Sequence, residues 1–257
     1  MASALISGLC QASFPPERIQ VAEPDTSRRT TLQERFGVTV QSDNKAVVAN
    51  AHVVVVAVKP GVVPEVLREI RATLPPQVLL LSIAAGISLA RLSEALSPGQ
   101  PIVRAMPNTP ALIGAGITVL CPGDRVAPSM VAMAQDIMRA AGDVEVIRDE
   151  KLMDAVTALS GSGPAYLYLV AEALSDGGVA CGLPRELADR LAQRTLLGSS
   201  RLLVESGQHP AVLKNQVTSP GGTTIAALRR LEASGVRSAL MEAVVAAWQR
   251  SRELNNA

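Results

Sequence analysis

Val53-Val54-Val55-Val56-Ala57-Val58-Lys59-Pro60 is an unbroken apolar run that ends at a lysine and a proline, and its reading decides the fold. It is far below the ~18 residues of a membrane span, and its β-branched side chains favour an extended backbone. A strand that is apolar at every position, rather than at alternate ones, is buried on both faces. Such strands belong to parallel sheets covered by helices on each side. Working outward, Ile19 to Ala22, Val38 to Val40, Val78 to Ser82, Ile102 to Arg104 and Val144 to Ile147 read as further strands. Helical spacing between them predicts helices over Ser27 to Phe36, Asp43 to Asn50, Val62 to Thr73, Leu89 to Leu96 and Pro128 to Ala141. The alternation predicts an α/β domain with a Rossmann-like parallel sheet over residues 1–149.

Beyond Asp149 the strand pattern stops. Ala, Leu, Glu and Arg recur at helical spacing, predicting helices over Glu150 to Leu159, Pro164 to Cys181, Arg185 to Glu205, Pro210 to Gln216, Thr223 to Ala233 and Val236 to Leu254. Residues 150–257 therefore form a second, all-helical domain. Leu187, Leu191, Leu196, Leu197, Leu202, Leu203 and Val204 on one of these helices, with Leu240, Val244, Val245 and Trp248 on another, are more apolar surface than one helix layer buries.

The formal charge of the 257 residues is +1, and no basic stripe points to nucleic acid or to an acidic membrane surface. Cys10, Cys121 and Cys181 are far apart and lack C-x-x-C spacing, and His52 and His209 are isolated, so neither bridges nor a metal site are expected. Met1 to Ile6 lacks the basic start of a secretory signal, and the expectation is a cytoplasmic protein.

Ser219-Pro220-Gly221-Gly222-Thr223-Thr224 runs into one of the C-terminal helices. Unpaired N–H groups at a helix start, the helix dipole and glycines that admit close approach make an anion seat. A hydroxyl-rich N-cap on an ordinary helix explains the same residues.

Together with Val217 and Thr218, this segment resembles the signature of pyrroline-5-carboxylate reductases. Four other segments fit the same family in the same order: Ala57-Val58-Lys59-Pro60, Ser82-Ile83-Ala84-Ala85-Gly86, Met106-Pro107-Asn108-Thr109-Pro110 and Leu159-Ser160-Gly161-Ser162-Gly163-Pro164-Ala165-Tyr166. The resemblance spans nearly the whole chain. It implies reduction of 1-pyrroline-5-carboxylate to L-proline with NADPH or NADH, and a homodimer, built through the helical half, that assembles further. Reduction of another small imine or keto acid on this scaffold, and a silent binding or oligomerisation partner, are the competing readings.

For the cofactor, a dinucleotide unit opens with a strand, a G-x-G-x-x-G/A turn and a helix, with an acidic residue about 20 positions on. Ala2 to Leu9 reads as that helix, with Ala2 at the third fingerprint position, and Glu23 as the acidic residue. The strand and the first two glycines are not in the sequence, and Met1 corresponds to the methionine inside the family's turn, so a sheet without its first strand is expected. The resemblance assigns Asn44 and the turn Ala57, Val58, Lys59, Pro60 to the adenosine side. It assigns Ala84, Ala85 and Gly86 to the ribose and nicotinamide, and Asn108 and Thr109 to the nicotinamide. Glu23 is positioned to bond ribose hydroxyls and repel a 2′-phosphate, whereas Arg28 and Arg29 are the alternative that would receive one.

For the substrate, the resemblance implies that N–H groups around Gly221, Gly222 and Thr223, with Ser219 as a further donor, take the carboxylate. Thr224 bonds the ring nitrogen, a role Thr223 could share, and Val217 packs against ring or cofactor. The helix from Ala165 to Glu172 has no lysine, which suits imine reduction better than alcohol oxidation, where a hydroxyl proton must be handled.

Overall fold

The computed structural model describes residues 1–256, with side chains through residue 255. Its contacts divide the chain into one unit of residues 1–162 with 247–257 and another of residues 163–246.

In the first unit α1 (Ala2–Gln11), β1 (Gln20–Ala22), α2 (Thr26–Phe36), β2 (Thr39–Gln41), α3 (Asn44–Val48), β3 (Val53–Val56), α4 (Val63–Ile70), β4 (Leu79–Ser82), α5 (Leu89–Glu94) and β5 (Ile102–Met106) alternate as the sequence predicts. β6 (Gly116–Pro122), α6 (Pro128–Arg139) and β7 (Gly142–Val146) follow. β3, β4 and β5 are parallel neighbours, with Val55 opposite Leu81 and Leu81 opposite Val103. β6 runs antiparallel to β5, pairing Cys121 with Arg104, and β7 returns parallel to β6.

The sequence reading does not include β6. It starts and ends on residues that read as turn, Gly116 and Pro122, and the loop before it is too short for the dozen or more residues that a parallel crossover needs. The chain therefore turns back beside β5. β1 and β2 form a separate parallel pair, and among the described residues no strand joins β1 to β3.

β4 shows why its run is apolar throughout. Leu79 and Leu81 enter one core with Leu5 of α1 and Val131, Ala134 and Met138 of α6. Leu80 enters the core on the opposite face with Val63, Leu67 and Ile70 of α4 and Leu92 of α5. Alternate residues of a strand face opposite sides, so all four positions of β4 are buried. Each of these leucines contributes about 1.5–3 kcal/mol of burial, and truncating one to alanine costs ~2–5 kcal/mol.

Past β7, α7 (Met153–Val156) passes into a π-helical turn, Thr157–Gly161, in which the Ser162 N–H reaches the Thr157 carbonyl at 2.9 Å. The second unit holds α8 (Gly163–Ala180), α9 (Arg185–Ser206), α10 (Pro210–Gln216), α11 (Thr223–Ala233) and the start of α12 (Val236–Asn256), whose last residues belong to the first unit. The sequence reading draws its domain line after Asp149, where the strands end; by contacts the division follows Ser162.

α8 and α9 pair around Ser175, 4% exposed, which bonds Asp189 and accepts from Arg185 at 3.0 Å. Leu167, Leu169, Leu191, Leu197, Leu240 and Met241 stay exposed. No described helix is long and apolar enough to cross a membrane.

Candidate functional site

The carboxyl ends of β3, β4 and β5 each open into one of the segments singled out from the sequence. In open α/β sheets ligands bind at this rim. After β3, Ala57, Val58, Lys59 and Pro60 are all exposed. After β4, Ser82 and Ala84 are buried while Ala85 is exposed, and Gly86 closes the turn with φ +72°. Only glycine takes that conformation without strain.

After β5, Met106 is half-buried and Asn108 accepts the Ile117 N–H at 3.0 Å, tying this loop to the edge of β6. Thr109 is exposed at the start of a 3₁₀ turn. Gly161 of the π-helical turn packs directly on Met106, since a Cβ there would meet Met106 Cε at 2.5 Å. Two of the sequence segments are thus in contact. π-bulges recur at functional sites.

The β1 end is organised by its own backbone. The half-buried Glu23 turns back to accept the Asp25 N–H at 3.0 Å, and Asp25 caps α2 by accepting the Arg28 N–H at 2.9 Å. Hydrogen bonds from Ser27 and the Arg28 N–H hold the Asp25 carboxyl below its ordinary value. Arg29 donates to the Glu23 and Pro24 carbonyls at 2.9 and 2.7 Å and to Thr26 at 2.8 Å. Of the two arginines considered for a phosphate, Arg29 is therefore committed to the loop. Asn44, the first residue of α3, donates to Glu69 on α4 at 2.9 Å. Ala2 is the first residue of α1.

In the second unit α11 starts without a side-chain cap. Its N-cap is Gly222, so the hydroxyl cap that the sequence also allowed is not formed. Gly221 sits at φ +67°, and the Gly222 N–H closes the turn on the Ser219 carbonyl at 3.1 Å. The Ser219 hydroxyl lies where a Gly222 Cβ would stand. Thr223 is exposed and Thr224 half-buried. Val217 is 67% exposed, an apolar side chain left open beside the turn.

Two contacts escaped the sequence reading. Arg104 on β5 meets Glu150 at 2.8 Å, and the same carboxylate oxygen takes the Leu89 N–H at the start of α5. Asp154 receives Ser251 and Asn255 from α12. These partners are separated by 46 to 101 residues and no local pattern announces them. Among the described residues no cluster of His, Cys, Asp and Glu is placed to hold a metal.

A wound sheet with small-residue turns at its carboxyl rim, followed by a helical unit, is the organisation of a dinucleotide-dependent oxidoreductase. Residues 150–254 match the family described as "Pyrroline-5-carboxylate reductase dimerisation", and residues 1–86 that described as "NADP oxidoreductase coenzyme F420-dependent". The pyrroline-5-carboxylate reductase of Synechocystis sp. is 47% identical over 257 residues, 99% of this chain and 94% of that one. Among solved structures, a pyrroline-5-carboxylate reductase from Coxiella burnetii superposes with a TM-score of 0.95 at 37% identity, covering 98% of this chain and 94% of its own. The Plasmodium falciparum enzyme, solved with NADP bound, gives 0.87 at 34% identity over the same shares. The chain belongs to the pyrroline-5-carboxylate reductase family.

Proposed function

We propose that the protein reduces 1-pyrroline-5-carboxylate to L-proline with NADPH or NADH, as a homodimer joined through residues 150–257 and assembling further. The relatives carry this activity in their names, and the Plasmodium falciparum enzyme holds NADP. The observation in this chain that carries the reading is the uncapped, glycine-bounded start of α11.

A cyclic imine is electrophilic once protonated, so the protein's work is to fix the ring and its carboxylate. The N–H groups of Gly221 and Thr223 and the Ser219 hydroxyl receive the carboxylate, with the α11 dipole favouring the negative charge; the Gly222 N–H, expected from the sequence to join them, is instead taken by the Ser219 carbonyl. Thr224 sits one residue into the helix, and its hydroxyl bonds the ring nitrogen. Val217 offers an apolar contact to the ring.

The rim of the first unit fits a dinucleotide. It presents small residues at Ala85 and Gly86, a glycine no side chain could replace without strain, over the buried Ala84, and a carboxylate at Glu23 after β1. Reduced nicotinamide supplies the hydride when bound. Asn44 and Ala57 to Pro60 would hold the adenosine side, Ala84 to Gly86 the ribose and nicotinamide, Asn108 and Thr109 the nicotinamide itself, and Ala2 the approach to the pyrophosphate.

The reading is tested by L-proline formation from 1-pyrroline-5-carboxylate and NADPH, run beside a panel of other cyclic imines and keto acids. L-proline formed with preference for the five-membered imine supports it. Turnover of a keto acid alone overturns it.

A further inference from the structure

The last two turns of α12 carry polar residues that the reductase reading leaves unused. Ser251 is 6% exposed, and its hydroxyl donates to Asp154 Oδ1 at 2.7 Å. The Asn255 amide donates to the same oxygen. An ionised carboxylate only accepts, so Asn255 Nδ2 faces Asp154 and its Oδ1 faces away.

On that side lies Gly86. Asn255 Oδ1 is 3.7 Å from the position of a Gly86 Cβ, and among the described residues, Gly86's two chain neighbours aside, no other atom comes within 4 Å of that position. The oxygen is shielded from solvent and has no donor among the described residues. Leaving a buried acceptor unpaired is unfavourable, so stability alone does not account for an amide here. Gly86 closes the very turn proposed for the nicotinamide half of the cofactor, and its φ of +72° makes that turn sensitive to what packs on it.

We propose that Asn255 is a positioning residue for the cofactor. Asp154 and Ser251 anchor the end of α12, and Asn255 holds the Gly86 turn in the form that accepts the nicotinamide half of NAD(P)H. The inference rests on the reductase reading of the same rim. It adds a C-terminal element, about 170 residues along the chain, to a seat otherwise built from strand ends.

The test is equilibrium binding of NADPH and of 2′-phospho-ADP-ribose, which lacks the nicotinamide, to the full chain and its variants. Asn255→Ala is expected to raise the Kd for NADPH about five- to tenfold, the scale of one lost contact, and to leave 2′-phospho-ADP-ribose within about twofold. Exchanging the partners, Asp154→Asn with Asn255→Asp, restores a donor–acceptor pair and should recover NADPH affinity. Equal weakening of both ligands would show a merely structural role, and unchanged NADPH affinity in Asn255→Ala, or no recovery in the exchanged pair, would equally overturn the inference. A wild-type chain that binds neither of these ligands nor NADH would overturn the reductase reading and this one with it. Binding of NADPH by the wild type with no effect of Asn255→Ala sinks only the role of Asn255.

Discussion

Arg104 and Glu150 form an ion pair of 2.8 Å across 46 residues, with the arginine side chain 5% exposed and the glutamate 29%. The pair joins the middle of β5 to the segment that leaves the sheet, and the same carboxylate receives the α5 N–H of Leu89. Because the arginine is the deeper partner, Glu150→Ala strands a buried charge, whereas Arg104→Ala leaves a carboxylate that water still reaches. Losing one partner of a fully buried pair costs ~3–5 kcal/mol. Glu150→Ala is expected to cost about 2–3 kcal/mol, below that range because of the glutamate's exposure, and Arg104→Ala less. Urea unfolding of both variants gives the order, and Arg104→Met with Glu150→Met should recover most of the loss.

Cys121 lies opposite Arg104 in β6 and is fully buried. Burial, then the Glu150 charge, pushes its thiol above the ordinary value of 9.0. The unfolded chain releases this proton near pH 9.0 while the folded one keeps it, so folding stability falls as pH rises above that point. The slope is bounded at about 1.4 kcal/mol per pH unit. Unfolding free energies at neutral and alkaline pH, compared between wild type and Cys121→Ala, measure it; the variant should lose this part of the alkaline decline.

The proposed cofactor site places the choice between NADH and NADPH at the β1 end. Glu23 offers a carboxylate after β1, and Arg29 is spent on loop carbonyls. NADH should serve at least as well as NADPH, and Glu23→Ser should shift the preference toward NADPH by about tenfold, 1.4 kcal/mol. Arg28→Ala should matter more for NADPH than Arg29→Ala does. Steady-state kinetics with both cofactors decide it, and a wild-type preference for NADPH beyond tenfold would show that Arg28 outweighs the carboxylate.

Assembly follows from Leu240, 44% exposed, and its neighbours on α12. Leu240→Glu with Val244→Glu is expected to give monomer or aggregate in light scattering, where the wild type scatters as a dimer or larger. A stable wild-type monomer at micromolar concentration would contradict the dimer.

Much of this was legible in the sequence for reasons that differ by element. The apolar run of β4 reads directly, because burial on both faces leaves no polar position. β6 was missed because Gly116 and Pro122 bound a strand that reaches its partner through a short loop. The turn into α11 was visible in Ser219 to Thr224, although only the backbone shows that Gly222, and not a hydroxyl, caps the helix. Arg104 with Glu150, and Asp154 with Asn255, were invisible, since pairing over such separations is set by how the sheet and α12 pack and not by local spacing.

The roles proposed for Thr224 and Ser219 separate kinetically. A hydroxyl that bonds the ring nitrogen as it becomes an amine acts mainly on kcat. Thr224→Ala should lower kcat ~10- to 10²-fold, less than the 10²–10³ of a lost oxyanion donor because no full negative charge develops. Ser219→Ala should instead raise KM. An unchanged kcat in Thr224→Ala would leave that hydroxyl without a part in the chemistry.

The central claim, hydride transfer from a reduced nicotinamide to a cyclic imine, is tested most directly by isotope. The wild-type protein is incubated with 1-pyrroline-5-carboxylate and NADPH fully deuterated at the transferable position, and the product is read by mass spectrometry. The account predicts L-proline carrying one deuterium, on the ring carbon that had been double-bonded to nitrogen. No L-proline, or L-proline without deuterium, would contradict it.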